Sequence, residues 1–169
     1  EKAGTQIELL IYLAYSYNKK GERAHAMDLC QQTLVLLQDK KEISLFAKAL
    51  HLRGIMHLGL GNLDKAIYDI EEALSLYKNL REEISAGKAV GDLGNIYYYK
   101  KEYTKAIECY KHAIKSCEAQ RNTLGVIIEH FNIGDFMLFD QKYELAVDEF
   151  QLALDLARKK RIYNIELDA

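Results

Sequence analysis

The residues of this chain that could do covalent, acid–base or metal chemistry are five histidines, three cysteines and a few paired acids. Their spacing argues against all three kinds of chemistry. His51 and His57 lie six apart, so helical register turns them to different sides. They do not form the i, i+4 pair that grips a metal, and His25, His112 and His130 have no such companion either. His57 and His130 stand where apolar residues stand elsewhere in the chain, so they are expected as satisfied core or end-face histidines. Cys30, Cys109 and Cys117 form no CxxC and are too few for a disulfide framework. Cys109 and Cys117 would lie on one helix about 12 Å apart, beyond disulfide reach. Glu82 and Glu83 are adjacent, hence splayed on a helix and solvated. No glycine-rich phosphate loop or nucleophile motif appears. The expectation is no catalytic residue, no metal and no cofactor.

The chemistry left is recognition, and it depends on elements that repeat. The stretch Val90–Ala113 reads as two helices, Asp92–Tyr99 and Tyr103–Ala113, around the polar break Lys100-Lys101-Glu102. Steps of forty residues reproduce it along the chain. One column is Ala14, Gly54, Gly94, Gly134, and a second is Ala26, Ala66, Ala106, Ala146. A third is Thr33, Ala73, Ala113, Ala153. A fourth is Cys30, Ile70, Tyr110, Phe150, and a fifth is Leu34, Leu74, Ile114, Leu154. A fixed period of a few tens of residues belongs to solenoids, whose units bury their apolar faces only by stacking.

This pattern resembles the tetratricopeptide repeat. The small pairs Gly54 with Ala66, Gly94 with Ala106 and Gly134 with Ala146 carry the resemblance. So do the large residues Tyr97 and Met137, and the pairs Tyr110 with Ala113 and Phe150 with Ala153. The period of forty exceeds the usual one of about thirty-four, and the proline that often ends the second helix is absent. Both departures suit the long-helix type, which looks like kinesin light chain, the spindle-orientation adaptors and the bacterial Rap-type peptide sensors. The string Leu93-Gly94-Asn95-Ile96-Tyr97 is similar to the LGNxY string common there. The implied fold is all-α: a right-handed α-solenoid of antiparallel helix pairs. Units are expected at about 3–40, 41–80, 81–120 and 121–160, with a fifth pair beginning at 161–169, in one array.

The chain has 169 residues, a net charge of −2, 49% apolar residues, 10 glycines and no proline, a foldable composition suited to continuous helices. Near-neutral charge argues against a nucleic-acid partner, and no apolar run is long enough for a membrane span. Sparse free thiols point to a reducing compartment, the cytoplasm. The chain opens at Glu1 and stops within a helical pattern, so it is expected to be a segment of a longer array from which a targeting segment could have been removed.

The first helix is expected over Ala3–Asn18 with Leu10, Leu13, Ala14 and Tyr17 in the core, then a turn at Gly21 and a partner helix over Glu22–Gln38 followed by Lys40-Lys41. Gly59-Leu60-Gly61-Asn62 forms the second turn and Asp140-Gln141-Lys142 a later one, while Asn122 or Thr123 caps the seventh helix. Opposite the core side of the first helices lie Glu8, Tyr12, Tyr15 and Lys19. In a tetratricopeptide superhelix this side lines the concave groove. Its columns add Lys48, Lys88 and Ile128; Leu52, Asp92 and Asn132; Ile55, Asn95 and Asp135; and Gly59, Tyr99 and Phe139. The candidate binding residues are Tyr12, Tyr15, Lys19, Lys48, Leu52, Ile55, Asp92, Asn95, Tyr99, Asn132, Asp135 and Phe139. Tyrosines among polar residues have the anatomy of an interface, and the amides could hold an extended backbone. Lysines fall early and acids late, which implies a ligand of fixed direction.

Of the run Tyr97-Tyr98-Tyr99, the first is expected in the core and the other two toward the groove. Arg53 interrupts the column Leu13, Leu93, Ile133, and is expected to snorkel or to pair with Asp69 or Glu72. Two functions are compatible with all this. One is a scaffold taking a peptide or partner protein in its groove. The other is a spacer, or a segment that forms homo-oligomers through its exposed ends. A third alternative is that the groove residues simply pack on neighbouring first helices.

Overall fold

The computed structural model describes residues 2–38 and 42–160. Lys40, Lys41 and the expected fifth pair at 161–169 lie outside the described residues. The described chain is all helix and turn: α1 (Lys2–Lys20), α2 (Arg23–Leu37), α3 (Ile43–Gly59), α4 (Leu63–Asn79), α5 (Glu83–Tyr99), α6 (Tyr103–Ala119), α7 (Thr123–Phe139) and α8 (Tyr143–Lys159). Each helix packs on the next, and α1, α3 and α5 also touch in succession. The result is an α-solenoid of antiparallel pairs. First helices form one layer and second helices the other.

The register of forty is kept to the residue: α3, α5 and α7 start at 43, 83 and 123, and α4, α6 and α8 at 63, 103 and 143. The turns explain this regularity. Each described turn places one residue in the left-handed region: Gly21, Gly61, Arg81, Lys101, Arg121 and Gln141. The next residue's N–H then reaches back five positions, as from Glu22 to Tyr17 and from Glu102 to Tyr97. This is the Schellman closure, which satisfies the orphan carbonyls of the preceding helix. Asn122 caps α7, its Oδ1 accepting from Gly125 N–H at 3.1 Å.

The small column performs the close approach. A Cβ on Gly94 would stand 2.6 Å from the Tyr110 ring, and one on Gly134 would stand 2.8 Å from the Phe150 ring. The residue filling each glycine's space therefore comes from the column Cys30, Ile70, Tyr110, Phe150, while Ala26, Ala66, Ala106 and Ala146 are buried beside it. The large core residue lies two positions after the glycine rather than three. Met56, Ile96 and Phe136 are buried, whereas Tyr97 and Met137 are half-buried, and the Tyr97 hydroxyl donates to Glu71 at 3.4 Å.

Leu13 corrects the expected core of α1, being 45% exposed. Its equivalents Leu93 and Ile133 are buried between their own second helix and the preceding one. No helix precedes α1 among the described residues. Ile7, whose side chain is fully buried, takes part in the core instead, and Leu10 is half-buried.

Candidate functional site

The first helices present one continuous concave strip of three adjoining hollows. The first, about 380 Å³, is lined by Glu8, Tyr12, Tyr15, Lys48, Leu52, Ile55 and Lys88 among others. The second, about 560 Å³, shares Tyr15, His51, Ile55 and Lys88 with it and adds Asp92, Asn95, Glu129 and Asn132. The third, about 310 Å³, shares Asn95 and Asn132 and is completed by Leu58, Tyr98, Tyr99, Tyr110 and Asp135. Ten of the twelve candidate residues thus line the strip. Lys19 instead lies over the Tyr15 ring, 5.4 Å from its centroid. Phe139 stacks at the rim on Tyr98 and Tyr103.

Packing between first helices and open surface divide the candidates. Leu52 is 5% exposed and forms the floor. Asp92 Oδ2 accepts from His51 Nε2 at 2.8 Å across the α3–α5 contact. Asn95 Oδ1 accepts from the Tyr110 hydroxyl at 2.9 Å, so one face of its amide is taken. Tyr12 and Tyr99, at 68% and 62% exposed, are spent on no such packing, and Tyr15 is also exposed. Lys48, Lys88 and Asp135 are exposed and have no ion-pair partner among the described residues.

Two groups in the strip went unnoticed in the sequence. Glu129 sits in the column Leu9, Ala49, Ala89, and both of those alanines are fully buried. A carboxylate there is drawn out of water. Burial raises the Glu129 carboxyl to about 7, opposed by a hydrogen bond from Asn132 Nδ2 at 3.2 Å and reinforced by the Asp92 charge. Gly91 makes room for it, since a Cβ there would stand 2.7 Å from Glu129 Oε1. The signal was a charged residue in an alanine column. His51 lacks metal spacing, and its role is instead the bond to Asp92.

The other reactive candidates are absorbed by structure. The Cys30 thiol donates to Ala49 O at 3.1 Å and burial pushes it up to about 12, far from a thiolate. His130 Nδ1 meets Glu149 at 2.7 Å, as a satisfied histidine should. His57 departs from that expectation: its Nδ1 is buried without a hydrogen-bond partner among the described residues, and burial lowers its pKa. Among the described residues no cluster of three or more His, Cys, Asp or Glu could hold a metal, and no helix is long and apolar enough to cross a membrane.

Antiparallel pairs in a forty-residue register, with small residues at the crossing, are an α-solenoid architecture like that of tetratricopeptide repeats. Residues 45–119 match the family model described as tetratricopeptide repeat. No curated protein matches the sequence. Among solved structures, the chain is similar to a Rap protein complexed with competence and sporulation factor (TM-score 0.86, 18% identity, 94% of this chain and 44% of that one). It is similar to aspartyl phosphate phosphatase F from Bacillus subtilis (0.84, 17%, 92% and 41%). It is also similar to BtubC (BKLC) from P. vanneervenii (0.79, 20%, 92% and 64%). The chain spans less than two thirds of the length of each of these three. At such identities the likeness establishes the fold. The tetratricopeptide repeat, whose model matches 45–119, is generally a protein-interaction repeat.

Proposed function

We propose that this segment is a protein-interaction module whose concave strip holds an extended peptide or partner segment in one direction, in the cytoplasm and without a cofactor. The observation that carries this reading is the order of charge along the three joined hollows. Lys48 and Lys88 stand beside exposed tyrosines at one end and outnumber the exposed Glu8 there, while Asp135 stands at the other; none of the four has an ion-pair partner among the described residues. A ligand with an acidic part toward α1–α3 and a basic part toward α5–α7 complements that order. Residues 1–169 act in this reading as one array.

The test is selection of a random peptide library on the native chain and on Lys48→Glu/Lys88→Glu, both side chains being exposed and without an ion-pair partner among the described residues. Peptides that carry acids and lose affinity about tenfold or more on the reversed strip support the reading. Peptides equally well held by both, or none selected at all, overturn it. A second reading has one observation in its favour: α8 exposes Tyr143, Leu145, Val147, Leu152 and Leu154 on the last described helix. Self-association through that end would appear as a concentration-dependent mass in sedimentation.

A further inference from the structure

The third hollow has a composition unlike the other two. Tyr98 and Tyr99 stand edge to face, with ring centroids 5.5 Å apart and planes at 80°. Tyr98 is held in place from behind by Phe136 and at the rim by Phe139, at 6.3 and 6.2 Å between centroids. Asn95 is fixed by the Tyr110 hydroxyl, and Asn132 by the hydrogen bond its Nδ2 donates to Glu129. The single charge in this lining is Asp135, exposed and without an ion-pair partner among the described residues. Its charge reaches the Tyr98 phenol, which burial first and Asp135 second push upward. The hollow measures about 310 Å³, large enough for a single long side chain and too small for a folded element.

Aromatic faces attract cations through their ring quadrupole. A carboxylate beside them supplies the counter-charge, and side-chain amide oxygens accept the remaining N–H groups. An anionic or purely apolar side chain would meet Asp135 or leave it unsatisfied. Arginine fits better than lysine because its planar guanidinium both stacks on tyrosine and forks onto a carboxylate. We infer that the hollow bounded by Tyr98, Tyr99, Asn95, Asn132 and Asp135 is a subsite for a basic side chain, arginine foremost, of the bound peptide. This deepens the proposed function and rests on it: the subsite is where a ligand's basic part would anchor.

N-acetyl-arginine methylamide is the probe, with N-acetyl-norleucine methylamide as the uncharged control of similar length. Titration of the isotope-labelled chain, followed by amide shifts, should show the arginine probe moving Asn95, Tyr98, Tyr99 and Asn132 along a saturating curve. Norleucine should leave them in place. Asp135→Asn, a change at an exposed position, should weaken the arginine probe about tenfold or more. Tyr98→Phe should keep most of the binding, because the ring face remains. Added salt should weaken the probe as well. Equal shifts from both probes, or an unchanged arginine curve in Asp135→Asn, overturn the subsite.

The library selection separates this failure from failure of the groove. Peptides that need Lys48 and Lys88 but ignore Asp135→Asn would leave the groove standing and remove the subsite. Peptides with a fixed arginine or lysine that is lost on Asp135→Asn would support both.

Discussion

Arg53 and Asp69 form a two-pronged ion pair across the α3–α4 contact, Nε to Oδ2 at 2.7 Å and Nη2 to Oδ1 at 2.6 Å. Asp69 is 3% exposed. In units one and three the matching positions are apolar together, Leu13 with Leu29 and Leu93 with Cys109, while in unit four Ile133 matches Glu149, which is bonded to His130 instead. Unit two has thus replaced an apolar pair by an ionic one, and Arg53 extends to Gln31 on α2 at 3.3 Å. A buried pair costs much to break and little to replace whole. Asp69→Ala should therefore destabilise by about 3 kcal/mol in urea unfolding, the low end of the usual range because Arg53 keeps some contact with water. Arg53→Leu/Asp69→Leu should come within about 1 kcal/mol of the native chain. A double variant as unstable as the sum of the two single ones would refute the pairing.

Glu129 should make the fold less stable as pH rises. Its carboxyl is ordinary when unfolded, near 4.5, and raised to about 7 when folded. Between those values the folded state holds a proton that the unfolded state has lost, so unfolding free energy falls with rising pH and levels off above the folded value. The integrated effect is at most about 3 kcal/mol. Glu129→Gln should remove this slope and be the more stable form at pH 8. A slope unchanged in the variant would locate it elsewhere.

Gly94→Ala tests the close helix approach of the repeat. The added methyl would stand 2.6 Å from the Tyr110 ring, and moving that ring breaks its bond to Asn95. Overpacking of this kind costs about 1–3 kcal/mol, against about 1 kcal/mol gained in helix propensity. A net loss of about 1 kcal/mol, or more, is expected in thermal unfolding. Ala106→Leu, at a fully buried position one layer over, should lose about 1–3 kcal/mol for the same reason. Unchanged stability in both would mean the register is wrong.

The step of forty made the fold legible because it reports which positions are equivalent, and equivalence survives substitution. It does not report how far each helix is rotated about its axis, and one residue turns the helix by about 100°. That is why Tyr97 packs against the core only half-buried, while its neighbour Ile96 is fully buried in it. It is also why Leu52 was assigned to the open strip when it forms the buried floor. Arg53 was legible as a charge in an apolar column, and its partner followed from the same reasoning. Glu129 carried an equal signal in an alanine column but sits beside the groove, where a charge looked unremarkable. Tyr98 in the third hollow needed side-chain geometry: only the rings of Phe136 and Phe139 show which way it faces. Leu13 fails for another reason, since no helix precedes the first unit among the described residues.

Lys101→Gly isolates the turn that sets the register. Lys101 is exposed and adopts φ 63°, a left-handed conformation that disfavours a side chain by about 1–2 kcal/mol. Gly21 and Gly61 hold the same place in earlier turns without that strain. Glycine also widens the freedom of the unfolded chain, which offsets about 0.4–1 kcal/mol of the gain. The expected outcome is a rise of about 0.5–1 kcal/mol in unfolding free energy. The reverse change, Gly61→Ala, should lose a comparable amount. Equal stability of Lys101→Gly and native would mean that the strain is relieved by contacts of the lysine stem, and that the six turns share a shape without sharing an energy.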